Sequence, residues 1–221
     1  MPILGPPAVG KTTLTLALEA TPMRQVFRLR EHVPVDILAA TTSAVDRLGW
    51  IDDSVIEPTV RNYLERATED PLVHTVLLDN FPGTSRQARM LIDALTDIAP
   101  QCKLEPVELV LDERARKSRA RRRRVCHHCE KDPIDDPRIP AVAAASNSWK
   151  CGRCGSLLHP RRSDAPSLFA ARSRRHEDTT GAIRETFAQA GYPITTLDAD
   201  IAPTVMARRL EPMLISRSRT A

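Results

Sequence analysis

The sequence predicts a three-layer α/β/α domain with a central parallel sheet and two inserted lobes, and three observations carry that expectation. Short apolar runs at Ile3–Leu4, Val73–Leu78, Val107–Leu111 and Ile194–Leu197 alternate with helix-forming stretches, the order that parallel strands joined by crossover helices produce. The chain has 221 residues, 42% of them hydrophobic, which suits one domain with insertions better than two independent ones. A glycine-bounded loop joins the first apolar run to the first helical stretch.

In chain order, Ile3-Leu4 is a very short strand ending in a Gly-Pro-Pro turn, and Lys11–Glu19 sets Leu14, Leu16 and Leu18 among good helix formers. Val73–Leu78 is rich in β-formers and ends in Asp79. Asn80-Phe81-Pro82-Gly83 then turns the chain into Ser85–Ala99, where Met90, Leu91, Leu95 and Ile98 suit an amphipathic helix that Pro100 stops. Val107–Leu111 is the third strand, and Ile194–Leu197 the fourth, after a helical stretch stopped by Gly191. Lys131–Lys150, with its three prolines and an Ala-Ala-Ala-Ser-Asn-Ser run, is expected to be loose, and Cys102 to be an ordinary buried thiol.

Lys plus Arg number 32 against 28 Asp plus Glu. The excess is local, with eight basic residues between Arg114 and Arg124, so it reports on a site more than on the whole surface. No basic segment followed by an apolar stretch opens the chain, and no run of 18 apolar residues could span a bilayer. The expectation is a cytoplasmic monomer with no membrane partner. Five cysteines include two Cys-x-x-Cys pairs, which in a reducing compartment hold metal more readily than they form disulfides.

Gly5-Pro6-Pro7-Ala8-Val9-Gly10-Lys11-Thr12 fits the phosphate-binding pattern G-x-x-x-x-G-K-[ST] between a strand and a helix start. Backbone N–H groups of Gly5, Ala8, Val9 and Gly10 in such a loop point at a phosphate. The helix N-terminus adds partial positive charge, and Lys11 reaches the β and γ phosphates of ATP. Thr12 is the hydroxyl on the magnesium side, with Thr13 as the alternative. Asp79, at the carboxyl end of a strand, faces the ligand crevice of such a sheet and suits Mg2+ held through water; an N-capping or turn role is the other reading.

Cys126, Cys129, Cys151 and Cys154 form two pairs separated by 21 residues, and four thiolates close a tetrahedral, structural Zn2+ site. Two disulfides, or a ligand exchanged for His127, His128 or His159, remain open. The arginines at 119 and 121–124 precede this segment, and Arg161, Arg162, Arg172, Arg174 and Arg175 follow it. Planar, permanently charged guanidinium forks suit the charge of a transferring phosphoryl group. Their placement on both sides of a metal-stapled segment suggests a lid that closes over the phosphate loop.

The order of these motifs resembles the adenylate kinase family of nucleoside monophosphate kinases, in its zinc-lid form, over nearly the whole chain. The family's D-G-F-P-R-T-x-x-Q-A stands here as Asp79-Asn80-Phe81-Pro82-Gly83-Thr84-Ser85-Arg86-Gln87-Ala88. Its lid approach, R-x-x-G-R-R-[IV]-C-x-x-C, is mirrored from Arg119 to Cys129 with Arg122 at the glycine position. Its lid exit, R-x-D-D with a second arginine eleven positions on, is mirrored by Arg161 to Asp164 and by Arg172, with Ser163 replacing one aspartate. The resemblance implies that Arg119 lies against the ATP base, that Arg123 contacts the transferring phosphates, and that Arg161 and Arg172 complete the catalytic clamp with Lys11. Gly49–Val55 resembles the hinge into the helix after the acceptor lobe.

The departures fall on the acceptor side. The family's T-G-D-x-x-R is absent from Arg28–Pro34, and Gly83 stands where F-P-R-T has arginine. Losing a charge-assisted contact costs about 1.5–3 kcal/mol, or roughly ten- to a hundredfold in binding. Arg28, Arg30 and Arg86 are the candidates to compensate. Phe81 belongs to the acceptor motif, and Gln87, which the family uses to read adenine, is retained. The expected function is therefore transfer of the ATP γ-phosphate to a nucleoside monophosphate, AMP first. The expected core spans residues 1–25, 67–118 and 165–221, the acceptor lobe 26–66 and the zinc lid 119–164. Two other readings are a nucleotide-sensing relative without turnover and a zinc-ribbon ATPase gripping nucleic acid. Against the latter, aromatic residues that could stack on bases make up 4% of the chain.

Overall fold

The computed structural model of the chain describes residues 1–42, 51–131 and 136–214. Strand β1 (Pro2–Leu4) is buried throughout, because it lies between two parallel neighbours: Ile3 pairs with Asp79 on one side and Val107 on the other. A strand covered on both faces reads as an unbroken apolar run. Helix α1 (Lys11–Glu19) follows the loop and leads to β2 (Arg24–Phe27). This strand adds to the four expected from sequence. It lies at the sheet edge, so Arg24 and Gln25 keep polar partners there. Arg24 forks onto Glu211 at 2.9 and 2.6 Å, and Gln25 accepts from the Tyr63 hydroxyl at 3.1 Å. Val26 and Phe27, placed in the acceptor lobe by sequence, are thus residues of the central sheet.

A short 3-10 turn at Leu29–Glu31 precedes α2 (Val35–Thr42). Gly49 and Trp50 of the expected hinge lie outside the described residues; Asp52, within it, caps α3 (Asp53–Glu69) by accepting from the Ser54 amide at 2.8 Å. Then come β3 (Thr75–Asp79) and α4 (Ser85–Ile98), capped by Thr84 and not by Asp79, which leaves that carboxylate available for other work. Strand β4 (Val107–Val110) and helix α5 (Glu113–Arg122) lead into the cysteine segment, with β5 (Arg124–Val125), β6 (Ala143–Ala144), β7 (Asn147–Cys151) and β8 (His159–Pro160). The chain closes with α6 (Pro166–Gln189), β9 (Thr195–Asp198) and α7 (Pro203–Leu214). Gly191 takes φ 83° just past α6, a left-handed turn that favours glycine.

Five of these strands form one parallel sheet in the order β2-β3-β1-β4-β9. Alternation along each strand divides the core. Ile3, Val26 and Leu77 face Leu14, Leu18, Met206 and Leu210 of α1 and α7. Leu4, Phe27 and Leu78 face Ile56, Val60, Leu91, Ile183 and Phe187 of α3, α4 and α6. The expected three layers are present. In the cysteine segment β5 pairs with β8, and β6 with β7, both antiparallel. The hairpin at 143–151 corrects the expectation of a loose stretch there: its ends are tied to the cysteine turn, since Gly152 donates to the Val142 carbonyl at 2.8 Å. Residues 132–135 of that stretch lie outside the described residues. Cys102 is exposed, not buried, because the chain after Pro100 turns at the surface before entering β4.

Candidate active site

The loop between β1 and α1 is shaped by residues that accept positive φ: Gly5 at 137°, Ala8 at 60° and Gly10 at 115°. At Gly5 a side chain is excluded, since a Cβ there would stand 2.7 Å from the Leu109 carbonyl oxygen. Ala8 holds a left-handed conformation that costs an L-residue on the order of 1 kcal/mol. Val9 anchors the loop in the core beneath it. Lys11 folds back over the loop and donates to the Pro6 carbonyl at 3.0 Å and to the Gly5 carbonyl. Its pKa falls to about 7, first because the amine is buried. Asp79 opposes that shift, while the positive fields of Arg172, Arg123 and Arg116 reinforce it. Thr12 is half-buried and Thr13 exposed.

Register puts Asp79 beside the loop, opposite Ile3. Its Oδ2 accepts from Thr15 Oγ1 at 3.4 Å and lies 3.6 Å from Arg28 Nε. Its Oδ1 is buried without a hydrogen-bond partner among the described residues. A buried carboxylate oxygen beside a phosphate loop, at the carboxyl end of a parallel strand, fits a hydrated divalent cation.

The arginines around the cysteine segment divide into two groups. Arg119 donates to the Val9 carbonyl at 2.9 Å and the Ala199 carbonyl at 2.8 Å, which fixes it at the mouth of the loop. Arg123 forks onto Asp164 with two 2.6 Å bonds. Arg172 donates to the Ser163 carbonyl at 3.3 Å. Arg161 is half-buried and lies within electrostatic reach of Arg138. Arg121 and Arg122, by contrast, are exposed.

On the acceptor side, Arg28 is buried and surrounded by carboxylates: Glu19 at 3.1 Å, Asp79 at 3.6 Å and Glu31 at 3.9 Å. Arg30 sits half-buried on the 3-10 turn. Arg86 has an exposed side chain 3.4 Å from Asp53. Gln87 is buried with both ends of its amide engaged: Oε1 accepts from the Gly83 amide at 2.8 Å and Nε2 donates to Asp53 at 2.9 Å. Phe81 is 1% exposed, edge-on to Phe27, so its ring supports the site from within the core.

Cys126, Cys129, Cys151 and Cys154 converge with all sulfurs within 4.8 Å of one another. The Cys126–Cys154 and Cys129–Cys151 separations are 3.5 and 3.7 Å. Those distances are too long for disulfides and close to the roughly 3.8 Å edge of a tetrahedron with metal–sulfur bonds of about 2.3 Å. The thiols pull one another's protonation apart. Cys129 is pushed up to about 12, chiefly by its hydrogen bond with Cys154, and Cys154 drawn down to about 6, chiefly by Ser156. A divalent cation would resolve that competition by holding all four as thiolates.

Sequence reasoning missed four participants. Thr15 lies three residues beyond Thr12 on α1, and that spacing was the available signal for a second inward hydroxyl. Arg116, three residues before Arg119 on α5, is buried and donates to Ser173 at 3.4 Å. Glu31 and Arg138 meet across more than a hundred residues of chain in an ion pair, for which local sequence carries no signal.

No protein-family model matches the chain. It is 28% identical over 193 residues to an adenylate kinase of Salinispora tropica, covering 82% of each protein. It is 25% identical over 197 residues to an adenylate kinase of Clostridium beijerinckii, covering 86% of each, and equally to one of Bacillus cereus, covering 87% of that protein. The chain is thus similar over most of its length to proteins named adenylate kinase, and it carries a five-stranded parallel sheet, a phosphate loop and a four-cysteine lobe in the order expected from sequence.

Proposed function

We propose that this chain is an ATP-dependent phosphotransferase that moves the γ-phosphate of ATP to a nucleoside monophosphate, with AMP as the first acceptor to test. The observation that carries the reading is the electrostatic setting of Lys11: a buried amine over the loop, on which the fields of Arg172, Arg123 and Arg116 converge. Asp79 offsets part of this positive field and Asp164 pairs with Arg123, but the cationic groups outnumber these two carboxylates, and a triphosphate tail supplies the further negative charge.

In this reading the loop amides and Lys11 grasp the β and γ phosphates, and Arg119 closes the mouth of the loop against the base. Thr12 and Asp79 would hold Mg2+, which would supply positive charge to the phosphate tail. Arg123, Arg161 and Arg172 steady the charge spread over the transferring group. Asp164 keeps Arg123 in one orientation, so little rearrangement is needed as the reaction proceeds. Transfer is direct, without a phosphoenzyme, and the protein contributes alignment and electrostatics. The region 119–164 serves as lid over the core 1–25, 67–118 and 165–221, with residues 26–66 providing the acceptor lobe around its edge strand. Closure excludes water, which would otherwise compete as acceptor. The four cysteines hold Zn2+ as a structural staple.

A coupled assay for ADP tests this with ATP, Mg2+ and AMP, GMP, CMP or UMP in turn. At least one monophosphate should raise ADP formation above the rate with ATP alone, and Lys11→Ala should reduce that rate by about a hundredfold or more. A rate indifferent to every monophosphate would refute the proposal.

A further inference from the structure

Arg28 and Arg138 come from opposite sides of the site. Arg28 immediately follows the edge strand β2, whereas Arg138 belongs to the cysteine segment, and one carboxylate, Glu31, lies between them. Glu31 pairs with Arg138 through one oxygen and approaches Arg28 at 3.9 Å through the other. Arg138 also feels the fields of Arg28 and Arg161, so three guanidinium groups share this corner. Arg138 keeps a buried Nε with no hydrogen-bond partner among the described residues, while the buried Nε of Arg28 faces Asp79 Oδ2 at 3.6 Å, beyond hydrogen-bond distance. Buried N–H donors are almost always satisfied, so the unsatisfied one on Arg138, beside a second guanidinium group, marks a place for an anion.

We infer that Arg28 and Arg138 form the clamp for the acceptor's phosphate, with Glu31 holding its place until the acceptor arrives. The clamp deepens the kinase reading and rests on it for the identity of the anion. It accounts for the missing acceptor arginines. Gly83 offers no charge, Arg86 is turned to solvent beside Asp53, and the replacement comes instead from the lid. Such an arrangement couples lid closure to acceptor binding, since one half of the clamp travels with the lid. Glu31 is 40% exposed on a three-residue 3-10 turn and can swing into solvent when a dianionic phosphate takes its place. Glu19, 3.1 Å from Arg28, keeps that guanidinium aimed at the corner throughout.

Calorimetric titration tests the clamp without turnover, using full-length protein saturated with a non-hydrolysable ATP analogue and Mg2+, and AMP, GMP, CMP or UMP as titrant. Arg138→Ala should weaken the tightest of these monophosphates by tenfold or more and leave the affinity for the ATP analogue within twofold. Arg138→Lys should recover part of the loss, and Glu31→Gln should tighten the monophosphate severalfold. The clamp is overturned if Arg138→Ala binds the monophosphate as the parent does, if it weakens both nucleotides equally, or if the parent binds no monophosphate. The kinase reading fails separately: in that case the binding pattern holds while no monophosphate yields ADP.

Discussion

Lys11 must be buried to reach a triphosphate and charged to hold one, and these demands conflict until the ligand arrives. Desolvation and three nearby guanidinium groups bring its pKa from 10.5 to about 7, so the free protein at pH 8 carries this amine mostly neutral. Phosphate oxygens favour the charged form and raise the pKa again, which requires a proton from solution. ATP binding at pH 8 should therefore take up close to one proton, measured by calorimetry in buffers of different ionisation enthalpy, and Lys11→Ala should abolish the uptake. The same depressed pKa has a sign for stability. Between about 7 and 10.5 the unfolded chain binds the extra proton, so the contribution of this side chain to stability rises with pH across that window. The loop itself was legible from eight consecutive residues because its chemistry is local. The surroundings that set the charge on Lys11 were legible only in part, since Arg123 and Arg172 follow from motif order while Arg116 does not.

At the scale of elements, helices α1 and α4 were readable because each has a period, a start and a stop within its own span. The strand β2 was not, because Arg-Gln-Val-Phe shows an apolar pair without alternation, and its polar half depends on Glu211 and Tyr63 far along the chain. Strand β4 was readable, yet its buried Glu108 is explained only by Arg184 of α6, which forks onto it at 2.7 and 2.8 Å. The convergence of the four cysteines was readable from their spacing alone, and the packing of the segment supports a metal staple as its role. Its buried cluster comprises Cys126, Cys151 and Leu158, with Ala141 against it, far too little apolar surface to fold unaided. Purified protein should carry about one zinc per chain. Chelation should release it and open the segment between Val125 and His159 to limited proteolysis, while the circular dichroism of the sheet and flanking helices persists. Protein without stoichiometric metal, or a segment equally resistant after chelation, would contradict the staple.

For the whole molecule, the parallel sheet and the placement of helices on both faces follow from the alternation of strands and helices in the sequence, whereas the strand order does not, and the phosphate loop falls where that topology places ligands, at the carboxyl ends of the strands. What the sequence could not reveal is which distant charges meet once the inserted segments fold over the core. Arg119 reaches Ala199 and Arg138 reaches Glu31, while Arg123 and Asp164 close on each other across the two ends of the cysteine segment. The first two contacts tie that segment to the core and to the turn after β2. Among the described residues no helix is long and apolar enough to cross a membrane. The most direct test of the account follows the γ-phosphoryl group itself, with ATP labelled at that position, Mg2+ and a nucleoside monophosphate, and products separated by chromatography. Direct transfer puts the label in the nucleoside diphosphate and leaves little in inorganic phosphate; label found only in inorganic phosphate, or left in ATP with every monophosphate, would contradict it.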